Sequence, residues 1–159
     1  MDAIVSWLMR FLSYFLGFLL RLYYTPARLA SMVKIDISSE NEGITVNCSE
    51  LPEARVWLEV TNLSPFPIEI EGIEARLFWV SGVGRFISIS RHSIKHAAHE
   101  RVFLETDLTG KQAEHIKQTN RLDHPRLSVK FYMSCRLSCF VKQREIQTKN
   151  YRLLNCGDS

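Results

Sequence analysis

The chain has 159 residues and a mass of 18.4 kDa, enough for one ordinary domain or a small domain with an appendage. Apolar residues make up 46% and charged residues 23%, which excludes a disordered chain. The formal charge of +3 lies entirely in residues 1–34, where Arg10, Arg21, Arg28 and Lys34 oppose Asp2; the neutral remainder argues against nucleic-acid binding, and the length excludes barrel and two-domain nucleotide-binding enzymes.

Residues Ile4–Tyr24 read IVSWLMRFLSYFLGFLLRLYY, with Arg10 and Arg21 as their charges. As a helix, such a segment spans about 31 Å, close to the hydrocarbon thickness of a bilayer. Thr25-Pro26 then ends it, because proline disfavours helix at the residue before it. A cleaved signal peptide fits poorly: the segment lacks a basic leading region and no small-residue cleavage site follows. At 100° per residue, Ser6, Arg10, Ser13, Gly17 and Arg21 fall on one narrow seam of small and basic residues. Trp7, Phe11, Phe15 and Phe18 supply the apolar anchor, and Tyr23 and Tyr24 suit the headgroup level. Three readings compete: a spanning helix, an interfacial helix with its seam toward water, and a buried helix of a soluble protein. The spanning reading is preferred, since so wide an apolar surface would otherwise need a core on nearly every side. Ser13 and Gly17 form a small-xxx-small pair, which lets a second helix approach. The excess of cations after the helix places residues 25–159 on the cytoplasmic side by the positive-inside rule.

From residue 35 the apolar period changes from 3.6 to 2, so the chain divides into a membrane helix and linker (1–34) and a β domain (35–159). Ile44, Val46 and Cys48 alternate, as do Val56, Leu58 and Val60. Ile68 and Ile70 follow, Gly72 breaks the phase as a bulge would, and Ile73, Ala75, Leu77 and Trp79 resume it. Ser81-Gly82-Val83-Gly84 reads as a hairpin turn before the strand Phe86–Ile89. Val102–Leu108 is a further strand. Thr109-Gly110-Lys111-Gln112 is a capping box opening a short helix with Ala113, Ile116 and Leu122 on its apolar side. Leu127, Val129, Phe131, Met133, Cys135, Leu137, Cys139 and Val141 read as one long alternating strand, and Glu145–Leu154 as the last. The expected fold is therefore mainly β, an antiparallel immunoglobulin-like β-sandwich with one short helix, preceded by an N-terminal membrane helix.

The stretch VTNLSPFPIEIEGIEARL, Val60–Leu77, resembles the late-embryogenesis-abundant group-2 domain, also called the water-stress-and-hypersensitive-response domain. Asn62, Pro65, Phe66, Pro67 and Ile68 occupy that family's pattern of a strand ending in Asn, a Pro-containing turn and an alternating strand; Leu63 and Ser64 replace its usual Pro-Asn. The resemblance implies a sandwich behind an N-terminal membrane helix, and a role in holding or transferring lipid or in scaffolding.

Candidate chemistry is sparse. On one continuous strand Cys135 and Cys139 would share the inward face about 13 Å apart, too far for a disulfide or for one zinc ion, so both read as small buried hydrophobes. A disulfide from Cys48 to a strand cysteine would require an oxidising compartment. His92, His96 and His99 cluster, with Glu100 as the adjacent carboxylate, and read as a polar loop rather than a metal site. No nucleophile, base and orienter stand together, and no phosphate or dinucleotide motif appears, so neither catalytic residues nor a cofactor are assigned. Asn47-Cys48-Ser49 and Asn62-Leu63-Ser64 are formal glycosylation acceptors.

The sequence thus points to a membrane-anchored, non-enzymatic sandwich module that binds lipid or acts at the bilayer surface in lipid handling. Leu58, Ile70, Leu77, Phe131 and Met133 are the candidate apolar lining between the sheets, with ordinary core as the competing reading. The alternative is an accessory or scaffold subunit of a larger complex, held to a membrane-protein partner through the seam of the N-terminal helix.

Overall fold

The computed structural model describes residues 2–39, 43–79, 82–88, 91–118 and 125–156. Helix α1 (Asp2–Tyr23) is followed directly by the six-residue α2 (Pro26–Ser31). Pro26 ends the first helix and begins the second: it lacks an N–H that the first turn would leave unused, and Thr25 Oγ1 accepts from Arg28 N. Leu29 of α2 is already buried, and β1 (Val33–Ile37) begins two residues later than α2 ends, so the sandwich takes in residues on both sides of position 35.

The strands continue as β2 (Ile44–Asn47), β3 (Glu53–Asn62), β4 (Ile68–Trp79), β5 (Gly82–Ser88), β6 (His92–Ile94) and β7 (His99–Asp107). Helix α3 (Gly110–Gln118) precedes β8 (Arg126–Ser134), β9 (Cys139–Gln147) and β10 (Tyr151–Leu154). They form two sheets. In the first, β1 and β2 share one edge of β3, β7 takes the other, and β10 lies outside β2. In the second, β5 and β6 share one edge of β4, and β8 and β9 follow on the other. The fold is the expected mainly β sandwich, with one pairing of a different kind: β10 runs parallel to β2, Tyr151 opposite Ile44 and Leu154 opposite Asn47.

Alternation carries the core. Val56, Leu58 and Val60 of β3 face Ile68, Ile70, Ile73, Ala75 and Leu77 of β4 and Leu127, Val129, Phe131 and Met133 of β8 in one buried cluster. Each such side chain contributes roughly 1.5–3 kcal/mol by leaving water. The phase break expected at Gly72 is a bulge, where the register of β4 against β8 shifts between Ile70 and Gly72. The sheets are stitched at both margins. Thr106 Oγ1 on β7 donates to Arg85 O on β5 at 2.9 Å. On the other side Arg144 on β9 pairs with Asp36 on β1 at 2.9 Å and donates to Ile35 O. The capping box forms as its sequence indicates: Thr109 N donates to Gln112 Oε1 at 2.8 Å and Gln112 N to Thr109 Oγ1 at 3.3 Å.

Three readings of the sequence change. Glu145–Leu154, expected as one last strand, divides between the end of β9, in the second sheet, and β10, in the first. Residues 82–84 belong to β5, with Gly82 opposite Trp79, so the connection falls at residues 80–81, outside the described residues, as does Leu122. The supposed single strand from Leu127 to Val141 is a hairpin. Ser134 pairs with Cys139, and Cys135 N donates to Ser138 O at 3.0 Å across the turn Arg136-Leu137. The inward phase therefore reverses: Met133 and Phe140 are buried, whereas Cys139 and Val141 face outward. Cys135 and Cys139 stand on opposite arms of this hairpin and do not share a buried face.

One close approach limits substitution. A Cβ at buried Gly43 would collide with Ile37 Cγ2 and crowd Ser38 O at 3.2 Å and Asn150 Nδ2 at 3.3 Å. Gly43→Ala is expected to cost about 1–3 kcal/mol in urea unfolding, because the colliding methyl sits on a stiff β-branched side chain.

Candidate functional site: the junction between helix and sandwich

Helix α1 leaves most of its apolar surface uncovered. Trp7, Phe11, Phe15 and Phe18 are each more than half exposed, and the first three stack at ring-centroid distances of 5.8 and 6.4 Å. Val5–Tyr23 is long and apolar enough to cross a bilayer. Among the described side chains its C-terminal end meets the body: Gly17, Leu20 and Tyr24 are half-buried, and Leu20 and Tyr24 pack against the core.

That end is fixed by a chain of rings and cations. The Arg28 guanidinium lies 3.8 Å from the Tyr23 ring centroid and donates to Tyr23 Oη at 2.6 Å. Tyr23 meets Tyr24 edge-on at 4.9 Å, and Tyr24 meets Phe66 edge-on at 5.1 Å. Arg136 then covers Phe66 at 4.8 Å. Such aromatic and cation–π contacts are worth roughly 0.5–1.5 kcal/mol each. Phe66 is the hinge of this ladder, and it belongs to the Pro65-Phe66-Pro67 turn noted in the sequence.

The turn is held by Asn62, which is fully buried at the end of β3. Its Nδ2 donates to Phe66 O at 2.8 Å, Ile94 O at 3.1 Å and Lys95 O at 3.2 Å. Its Oδ1 accepts from Ser64 N at 2.9 Å and Ser64 Oγ at 2.7 Å. Asn62 therefore lies within the fold, with no amide hydrogen left for glycosylation. Asn47 is half-buried, and its Oδ1 accepts from Ser49 N and Asn155 Nδ2.

Between α1 and the β8–β9 turn lies a groove of about 670 Å³. Ser13, Tyr14, Leu16, Gly17, Phe18, Leu20 and Arg21 line one side, and Arg136 and Leu137 the other. The structure thus brings three members of the sequence-derived seam, Ser13, Gly17 and Arg21, together against the protein's own body. Arg10 lies beyond the groove on the same helix and is exposed, as is Ser6. Leu58, Ile70, Leu77, Phe131 and Met133 sit elsewhere, at most 2% exposed within the packed core. Arg136 and Leu137 were missed by sequence reasoning, which read them as mid-strand residues.

The remaining candidates do not converge. His92 lies on β6, His99 opens β7, and His96 Nδ1–H donates to Ser64 O at 2.6 Å. No group of His, Cys, Asp and Glu with metal-binding geometry occurs among the described residues. Arg55 is held above its ordinary pKa by its hydrogen bond to Glu105 and the charge of Glu53, and Lys130 above its own by Tyr132; both stand on exposed strand faces. Cys48 and Cys156 are disulfide-bonded, joining the ends of β2 and β10.

No family model and no curated protein matches the chain. Solved structures do. The X-ray structure of the structural-genomics target SoR45 is 8% identical with a TM-score of 0.51, covering 73% of this chain and 84% of that one. A crystal structure of a protein from Archaeoglobus fulgidus is 15% identical with a TM-score of 0.41, covering 74% and 95%. The solution structure of a protein provisionally assigned as late embryogenesis abundant is 11% identical with a TM-score of 0.40, covering 94% and 86%. At these identities the first likeness shows the shared fold alone.

Proposed function

We propose that this chain is a membrane-anchored, non-enzymatic β-sandwich module that binds lipid or acts at the bilayer surface in lipid handling. The observation that carries the reading is the uncovered aromatic face of α1, which packs against the sandwich core through Leu20 and the adjoining Tyr24 at its C-terminal end. A monomer in water does not leave so continuous an apolar face exposed, and a bilayer covers it. The order of helix and sandwich, with the Asn62–Ile68 pattern, supports the same reading through the resemblance to the late-embryogenesis-abundant group-2 domain. Full-length protein is expected in the membrane fraction, resistant to alkaline carbonate, with the segment Val5–Tyr23 retained by mass spectrometry. It is also expected to carry phospholipid after purification in mild detergent. A soluble form beginning beyond Tyr24 would identify a cleaved leader and end the anchoring reading; a lipid-free anchored protein would end its lipid part.

Arg10 favours a second reading, an accessory subunit held through the helix. It is exposed in the first half of α1 and has no carboxylate partner among the described residues, and in hydrocarbon a guanidinium seeks a carboxylate or carbonyl partner. Arg10→Leu is then expected to shift the solubilised protein from a large complex to its own size on native chromatography. An unchanged elution position rejects the partner.

A further inference from the structure

The groove beside α1 combines two properties that suit one class of ligand. Its helix side carries the Ser13-Gly17-Arg21 seam with Leu16 and Leu20 along one flank and Tyr14 and Phe18 along the other, and Leu137 adds apolar surface across the gap. Arg21 and Arg136 contribute guanidinium groups from the two sides, and neither has a carboxylate partner among the described residues. Among the described residues no acidic side chain lines the groove, and α1 has none after Asp2. Tyr23 and Tyr24 put the same end of the helix at headgroup level when α1 spans a bilayer. At Gly17 an added Cβ would meet nothing within 4 Å, so the floor of the groove is open there.

We propose that this groove binds one anionic phospholipid, with its phosphate between Arg21 and Arg136 and an acyl chain along Leu16, Leu20 and Leu137. Guanidinium forks match phosphate oxygens bidentately, and the apolar flank covers part of the chain. A zwitterionic headgroup fits less well, because its cation would enter a site that holds two arginines and no acid. The inference rests on the reading of α1 as a membrane anchor and adds to it the ligand class and the residues.

The test uses full-length protein in mild detergent, titrated with phosphatidylglycerol or phosphatidylcholine, with bound lipid counted by native mass spectrometry. One phosphatidylglycerol is expected to be retained about tenfold better than phosphatidylcholine, since each basic residue near a headgroup favours the anion about fivefold and part of that is lost to screening. Arg21→Gln and Arg136→Gln should each lower the preference about threefold to fivefold; exposed Arg21→Gln leaves Tm unchanged, whereas Arg136→Gln also gives up its contact with the Phe66 ring and lowers Tm slightly. Gly17→Leu keeps every charge and fills the floor, so it should abolish retention of phosphatidylglycerol. Equal retention of the two lipids, a preference that survives the double arginine variant, or displacement by inorganic phosphate at the affinity of the lipid would each overturn the proposal. The anchoring reading is judged separately on the same preparation: if full-length protein is present in membranes but the lipids bind equally, only the groove assignment fails. If no full-length protein is found there, both fail.

Discussion

Replacing Asn62 with alanine is expected to destabilise the sandwich by about 3 kcal/mol, the largest loss from a single exposed-or-buried polar truncation in this fold. The amide is completely buried and used from both ends. Its two hydrogens serve three carbonyl oxygens, those of Phe66, Ile94 and Lys95, so one hydrogen is shared between neighbouring acceptors. Truncation leaves the Ile94 carbonyl and the Ser64 N–H without this partner in the buried turn, while Lys95 O keeps its bond from Ala98 N, and the cost of stranded groups exceeds that of the bonds themselves. Asn62→Asp should cost at least as much. It keeps the acceptor for Ser64 but turns an anionic oxygen toward carbonyl oxygens. Burial and those neighbours raise the folded-state pKa of such a carboxyl above its unfolded value. Its destabilisation is therefore full above the folded pKa and is relieved as pH falls through it, because the protonated acid can donate again. Urea unfolding of the two variants at neutral and mildly acidic pH checks both: the aspartate variant should recover stability on acidification relative to wild type, and the alanine variant should not. Parallel curves for all three proteins would show that the amide is not the hinge.

The same substitution reaches the functional junction. Phe66 is positioned by Asn62 and Ser64, and it is the ring against which both Tyr24 and Arg136 pack. Loosening the turn should free the angle between α1 and the sandwich and widen the groove at Arg136. A residue that reads in the sequence as part of a family-like turn thus holds the geometry between α1 and the body.

Much of this architecture was legible because period-2 alternation and turn chemistry point the same way. Gly72 marked its bulge through a break in phase, and Thr109 with Gln112 marked a helix start through reciprocal hydrogen bonding. The β8–β9 hairpin was not legible. Its turn, Arg136-Leu137, contains no glycine, proline, asparagine or aspartate, and neither residue takes a positive φ. Apolar residues at odd positions continue through it from Met133 to Val141, although the inward face passes to even positions beginning with Phe140. Missing that turn hid the two residues that complete the groove, since a mid-strand Arg136 could not have met α1. The parallel return of β10 was equally hidden, because pairing across more than a hundred residues leaves no local periodic trace.

That return sets up the second large effect. β10 is four residues long, pairs only with β2 among the described strands, and has half-buried side chains at Tyr151, Leu153 and Leu154. Its further attachments include the edge-on contact of Tyr151 with Trp79 at 5.1 Å, the bond from Cys48 N to Leu154 O at 2.9 Å, the bond from Asn155 Nδ2 to Asn47 Oδ1 at 2.9 Å, and the Cys48–Cys156 disulfide. A strand so short and so lightly packed depends on the covalent link. Cys156→Ser is expected to remove about 2–4 kcal/mol, the ordinary contribution of a disulfide closing a long loop, lower Tm, and expose the outer edge of β2. Reduction of the wild type should reproduce the loss, and the serine variant should no longer respond to reductant. A Tm unchanged by either treatment would mean that β10 holds without the clasp. The same bond bears on topology. The cations after α1 favour a cytoplasmic body, whereas a structural disulfide persists in an oxidising compartment. The charge rule is a bias that Arg10 within the helix weakens; a structural disulfide favours an oxidising compartment. We therefore expect denatured native protein, alkylated without reduction, to show two reactive thiols, Cys135 and Cys139, out of its four cysteines. Four reactive thiols would return the body to the cytoplasm and leave β10 held by packing alone.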